Sequence, residues 1–175
     1  MKKLLLTALV SFTITALCFG AGSSFKVTGD ELMKNRYSDT GATRVLKMLA
    51  IADSTTASYA SLTINPTGWS DTEGNSGSFV YPSIGWRTHT LYIDGNHDST
   101  EPTENTDITV KQYGVDLLDG NGTDAVDNTA ERAVYFQVDG LPMPCPIAGS
   151  LLFEISNNAS PSASVTFRLL MIPAE

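Results

Sequence analysis

The chain has 175 residues, 42% of them hydrophobic and 17% charged, with 11 Lys plus Arg against 19 Asp plus Glu and a net charge of −8; that is the size of one globular domain with a tail. The acidic balance excludes a nucleic-acid binder, because neutralising phosphates takes clustered Lys and Arg and none cluster here. Two histidines, His89 and His97, and two cysteines leave little material for His-based catalysis or a zinc centre.

Met1-Lys-Lys3 followed by the uncharged run Leu4 to Phe19 has the basic and apolar regions of a secretory signal peptide, and Gly20, Ala21 and Gly22 supply small residues for cleavage. The run, about 16 residues, is shorter than the roughly 20 that span a bilayer as a helix. The expectation is a signal helix within residues 1–22, export to the periplasm, cell surface or medium, and no stable membrane insertion after cleavage. A lipid anchor on Cys18 fits poorly, since Leu17 stands where a lipobox wants a small residue. Losing the leader removes Lys2, Lys3 and Cys18, which leaves a more acidic chain whose single cysteine, Cys145, forms no internal disulfide. Cys145 lies in Leu141-Pro-Met-Pro-Cys-Pro-Ile147, among prolines and away from cations, the setting of an inert buried thiol.

Residues 23–43 read as an N-terminal arm or short helix, with Asp30-Glu-Leu-Met-Lys34 as its helical candidate. From residue 44 to 175 the pattern is all-β: short alternating runs rich in β-branched residues, separated by Gly, Asn, Asp, Pro and Ser. Val45 to Ile51 and Tyr59 to Ile64 read as a hairpin across a small polar link. Trp86 to Ile93, Asp107 to Tyr113 and Ala133 to Val138 supply three more strands. Leu151 to Ser156 and Val165 to Met171 read as a second hairpin across Asn157-Asn-Ala-Ser-Pro161. Seven or eight antiparallel strands at this spacing predict a β-sandwich or jelly roll.

Several residues are candidates for chemistry. Thr67 to Gly77 is a polar loop in which Trp69 is either a stacking platform or an anchor tucked into the sandwich edge; Tyr81 and Trp86 are further candidate ligand or partner contacts. Asp94, Asn96 and Asp98 have the spacing of the first three oxygen ligands of a calcium loop, although Ser99 and Asn105 stand where that pattern wants Gly and Glu. The competing reading is that Asp94-Gly95 and Asp119-Gly120 are turn residues chosen for positive φ. Asp116, Asp119, Asp124 and Asp127 are candidate acid–base carboxylates, but nothing in the sequence brings any two together. His89 falls within a strand and reads as a sheet-face residue, and His97 as a loop residue. No nucleophile elbow, His-Glu-x-x-His helix or phosphate-cradling loop is present, so the expectation is a protein without enzymatic activity.

The layout from residue 44 to about 172 resembles small β-sandwich proteins encoded in tailed-phage structural modules. The resemblance is carried by Arg44-Val-Leu-Lys-Met-Leu49, the Gly85 and Asp94-Gly95 flanks of the middle strand, and the segment Asn105-Thr-Asp-Ile-Thr-Val-Lys-Gln-Tyr-Gly-Val-Asp-Leu-Leu-Asp-Gly-Asn-Gly122. The ending Ile147-Ala-Gly-Ser-Leu-Leu-Phe-Glu-Ile-Ser-Asn-Asn158 with Val165-Thr-Phe-Arg-Leu169 is similar too. The leader lies outside it. The resemblance implies a virion or assembly role acting through protein–protein packing and self-association, with no cofactor and no catalytic residue. A secreted carbohydrate-binding or adhesin-like module, calcium-dependent through the Asp94 loop, is the alternative.

Overall fold

The computed structural model describes residues 22–34, 42–95 and 100–174, and among these it contains no helix. The chain forms β1 (Ser24–Lys34), β2 (Ala42–Ile51), β3 (Leu62–Asn65), β4 (Gly68–Asp71), β5 (Ser76–Ser78), β6 (Trp86–Asp94) and β7 (Asp107–Gln112). It continues with β8 (Val115–Asp116), β9 (Arg132–Tyr135), β10 (Gln137–Val138), β11 (Leu141–Pro142), β12 (Cys145–Pro146), β13 (Leu151–Ser156) and β14 (Ser164–Pro173). All pairings are antiparallel. One sheet runs β1-β2-β14-β6-β12 with β9 also on β6, the other runs β5-β4-β3-β13-β7-β8, and β10 and β11 form a separate ribbon. Among the described residues fourteen strands replace the seven or eight expected, because the turn-rich segments contribute ladder pieces of two to four residues.

Alternation places the core. Leu46, Met48 and Ala50 of β2, Phe167, Leu169 and Met171 of β14, and Leu91 and Ile93 of β6 are buried from one sheet. Leu62 and Ile64 of β3, Ile108 and Val110 of β7, and Leu151 and Phe153 of β13 are buried from the other. All belong to one apolar cluster. Phe25 closes it, its ring 6.3 Å from Phe153 of the opposite sheet and 5.3 Å from Phe167 of its own. Each such side chain contributes roughly 1.5–3 kcal/mol when fully buried.

Three expectations need correction. The helix expected at Asp30-Glu-Leu-Met-Lys34 is instead the second half of β1, paired along β2 as part of the sandwich. The reason is a register break between Val27 and Gly29: Phe25 and Val27 stand opposite Ala50 and Met48, and beyond the break Asp30 and Leu32 stand opposite Leu46 and Arg44. A bulge adds one residue and resets the alternation, so no unbroken period of two survives in the sequence. The two expected hairpins do not form either. β2 and β14 pair with each other in one sheet, and β3 and β13 pair in the other, so the links at residues 52–61 and 157–163 arch between sheets. Hairpin loops close with two to five residues; these longer links cross a gap of about 10 Å between packed sheets instead. The arches hold each other through Ala52 N–H donating to Ala163 O at 2.9 Å and Asn158 Nδ2 donating to Ala57 O at 2.8 Å. Of the signal segment expected over residues 1–22, residues 1–21 lie outside the described residues.

The sandwich is closed differently along its two sides. On the β1 side, Phe25 N–H donates to Asp71 Oδ2 at 3.2 Å and ties the sheets directly. On the β6 side the β10–β11 ribbon spans the gap, with Gln137 N–H donating to Leu117 O and Met143 N–H to Phe136 O, each at 2.9 Å.

Candidate functional site

Trp69 lies on a strand rather than in a loop. It stands opposite Ile64 on the core-facing side of β4 and packs, half-buried, against the core. Gly77 of β5 lies against its indole so closely that an added Cβ would come within 2.6 Å of Nε1. Trp86, also half-buried against the core, opens β6 with its ring 5.9 Å from the Arg44 guanidinium. That arginine is fully buried. It forms a bidentate pair with Asp30, Nε to Oδ1 and Nη2 to Oδ2 at 2.8 Å each, donates from Nη1 to Pro82 O at 2.9 Å, and lies 5.0 Å from the Phe79 ring. Tyr81 is exposed on the loop that Arg44 holds. Of the three aromatic candidates, two are engaged with the protein's own interior.

The candidate carboxylates hold turns. Asp116 accepts from Val110 N at 3.3 Å, Leu118 N at 3.1 Å and Gly120 N at 3.2 Å. Asp119 and Gly120 both take positive φ, and Asp119 Oδ2 accepts from Gly140 N at 2.8 Å. Asp127 accepts from Thr129 N and Oγ1 at 2.8 and 2.6 Å, and those bonds hold its carboxyl below the usual carboxylate range. Asp124 and Asp127 share the wall of a polar cleft of about 310 Å³ with Glu104 and Arg132; Asp116 and Asp119 do not line it. Asp94 ends β6, and Gly95 beside it lies against Asp127 O; Asn96, His97 and Asp98 are outside the described residues. Among the described residues no three His, Cys, Asp or Glu side chains are grouped to hold a metal ion. Cys145 is buried, donates from Sγ to Met143 O at 3.5 Å, and its thiol is pushed up by desolvation.

His89 is the extra residue of a second bulge. Leu170 pairs with Thr90 and Met171 with Thr88, leaving His89 between them with Nδ1 2.7 Å from Thr90 Oγ1. Its ring lines a shallow cleft of about 160 Å³ with Tyr135, Phe136, Pro142, Met143 and Pro144.

That cleft belongs to the most apolar part of the surface. Among the described residues, six of the ten exposed large hydrophobic side chains are Tyr113, Val115, Tyr135, Val138, Leu141 and Met143. Leu141 is 64% exposed and Val115 63%. The ribbon that carries Val138 and Leu141 is turned by Asp139-Gly140, both at positive φ, in the manner of a tight two-residue hairpin. It is fastened to the segment after β8 through Leu117 O and Asp119 Oδ2. Prolines at 142, 144 and 146 remove backbone donors along this edge, which disfavours strand addition and leaves side-chain packing as the mode of contact. Sequence reasoning passed over Val138, Leu141 and Met143. The available signal was the near-absence of charge: residues 133–153 carry one charged side chain, Asp139.

Comparison with protein-family models, with curated proteins and with solved structures finds no match for this chain.

Proposed function

We propose that this chain is a structural protein that assembles with copies of itself by side-chain packing and carries out no catalysis. The observation that carries the reading is the apolar flank on and around the β10–β11 ribbon, where Asp139 is the one charged residue of 133–153, on a chain whose net charge is −8. Folding leaves these side chains in water, and burying each one fully against a neighbour is worth roughly 1.5–3 kcal/mol. Large exposed apolar groups rimmed by polar surface mark protein–protein contacts, and contact cores are depleted in charge and enriched in Tyr and Met. The resemblance to phage structural-module proteins supports the same role, and the leader pattern supports an exported location, with residence in a virion as the alternative.

Light scattering of the native protein over a range of concentration tests the role. Assembly that Leu141→Lys abolishes, without a change in thermal unfolding, is the expected result. A wild-type chain that stays monomeric at high concentration overturns it. Intact mass of the same sample tests export, which requires loss of the leader.

A further inference from the structure

We propose that the outer face of the β1-β2-β14-β6 sheet binds an aliphatic carboxylate, with its headgroup between Lys47 and Arg168 and its chain along Val45, Leu170 and Met33. Alternation turns Leu46, Leu91 and Leu169 into the core and therefore Val45, Lys47, Tyr92, Arg168 and Leu170 away from it. Beyond the bulge in β1, Glu31 stands opposite Val45 and Met33 opposite Thr43. The outward side chains line an open groove of about 460 Å³, within the size range of small-molecule sites.

Two rows of cross-strand neighbours build the groove. In one, Lys47, Arg168 and Tyr92 stand directly opposite one another across β2, β14 and β6. In the next, about 7 Å along the strands, Glu31, Val45 and Leu170 do so across β1, β2 and β14. Met33 at the rim is 51% exposed. The first row offers charge and the second aliphatic surface, which is the order of parts in an amphiphile.

The sign of the headgroup follows from the cations. Lys47 and Arg168 are like charges at facing positions, an arrangement that costs stability. Each is drawn aside by an acid, Lys47 Nζ to Glu31 Oε1 at 2.6 Å and Arg168 Nη2 to Glu131 Oε1. All four side chains are exposed, and exposed pairs hold weakly, so a carboxylate between the two cations draws donors from both and leaves no acid buried. The lining holds two cations and one acid, a positive patch on a chain whose net charge is −8, and such a patch attracts an anion. The Arg168 guanidinium lies 5.3 Å from the Tyr92 ring, so the aromatic side chain of the lining already stacks on the protein's own cation and offers no free platform for a sugar. Val45, Leu170 and Met33 make no hydrogen bonds to a ligand, which favours methylene over hydroxyl.

Calorimetric titration at neutral pH and low salt tests this with dodecanoate, kept below its micelle concentration, against dodecyltrimethylammonium, the same chain on a cationic head. The net charge of the protein favours the cation, so tighter binding of dodecanoate, at one site per chain, is the expected result. Butyrate is expected to bind at least about a hundredfold more weakly, having lost most of the methylenes. Lys47→Gln with Arg168→Gln is expected to weaken dodecanoate about tenfold or more, the loss of a charge-assisted hydrogen bond, with thermal melts to show that the fold is kept. Lys111→Gln with Arg132→Gln removes the same charge elsewhere and is expected to leave the affinity unchanged. Equal losses from the two double variants, or equal or tighter binding of dodecyltrimethylammonium by the wild type, overturn the inference. Absence of dodecanoate binding overturns it as well and leaves the assembly reading standing, because that reading is decided by light scattering and rests on the β10–β11 flank.

Discussion

The two ends of the sandwich are held by different chemistry. At the arch end, short polar side chains bond to nearby backbone: Asp53 Oδ1 accepts from Thr55 N and Thr56 N at 2.8 Å each, and Asn158 bonds to Ala57 O, Ser160 O, Ser160 N and Thr103 N. Asp107 there accepts from Asp124 N at 2.7 Å and from Asn157 Nδ2. At the opposite end, one buried arginine and a few backbone bonds hold the loop at residues 79–85, and its apolar side chains face outward. The carboxylates and amides that look like ligands or catalytic groups are largely consumed by the fold, whereas the apolar groups of the other end and flank have no use within it.

The largest expected effect is from Arg44→Leu, which leaves the Asp30 carboxylate, whose side chain is 11% exposed, without its partner; breaking a buried pair from one side costs about 3–5 kcal/mol. Urea unfolding should show that loss, and adding Asp30→Asn should recover part of it, because the orphaned charge goes. Equal stability of Arg44→Leu and the wild type would mean that the pair does not hold this end. Next comes Asn158→Ala, which removes the amide linking both arches to Thr103; about 1–3 kcal/mol is expected from leaving buried backbone groups unpaired, read as a lowered thermal midpoint with unchanged strand signal by circular dichroism.

The smallest effect is a pH dependence. Hydrogen bonds from Thr55 and Thr56 hold the Asp53 carboxyl far below its ordinary 3.8, and those from Thr129 lower Asp127. A depressed folded-state value means that the stabilisation is present above the ordinary carboxylate range and is lost as pH falls through the folded values. Both groups are solvent-exposed, so the contribution is small. The stability gap between the wild type and an Asp53→Asn, Asp127→Asn double variant should therefore be constant near neutrality and narrow steadily below about pH 4. A gap that widens on acidification contradicts the assignment.

Much of the strand content was legible because period-two alternation is a local property. β6, β7, β13 and β14 all lie where the sequence places strands. β1 was not legible, because its bulge at Val27/Gly29 interrupts the alternation and hides the second half. The site was less legible still. Trp69 draws attention as an aromatic in a polar stretch, yet its face is set by pairing with Ile64, which turns the indole toward the core. Arg44 gives no signal in its own neighbourhood; its partners Asp30, Phe79, Pro82 and Trp86 lie 14 to 42 positions away and meet it only in the folded chain. Val138 and Leu141 show no sustained alternation because each strand of the ribbon that carries them is two residues long, and Met143 lies just beyond it.

By itself, then, the sequence determined the acidic character, the all-β class and the inner and outer faces of the regular strands, since charge and alternation are read residue by residue. Tertiary structure decided which strands pair, which links arch from sheet to sheet and which apolar groups remain in water. Those outcomes depend on contacts between residues far apart in the chain, where the burial of one face against a distant partner outweighs what neighbouring residues prefer.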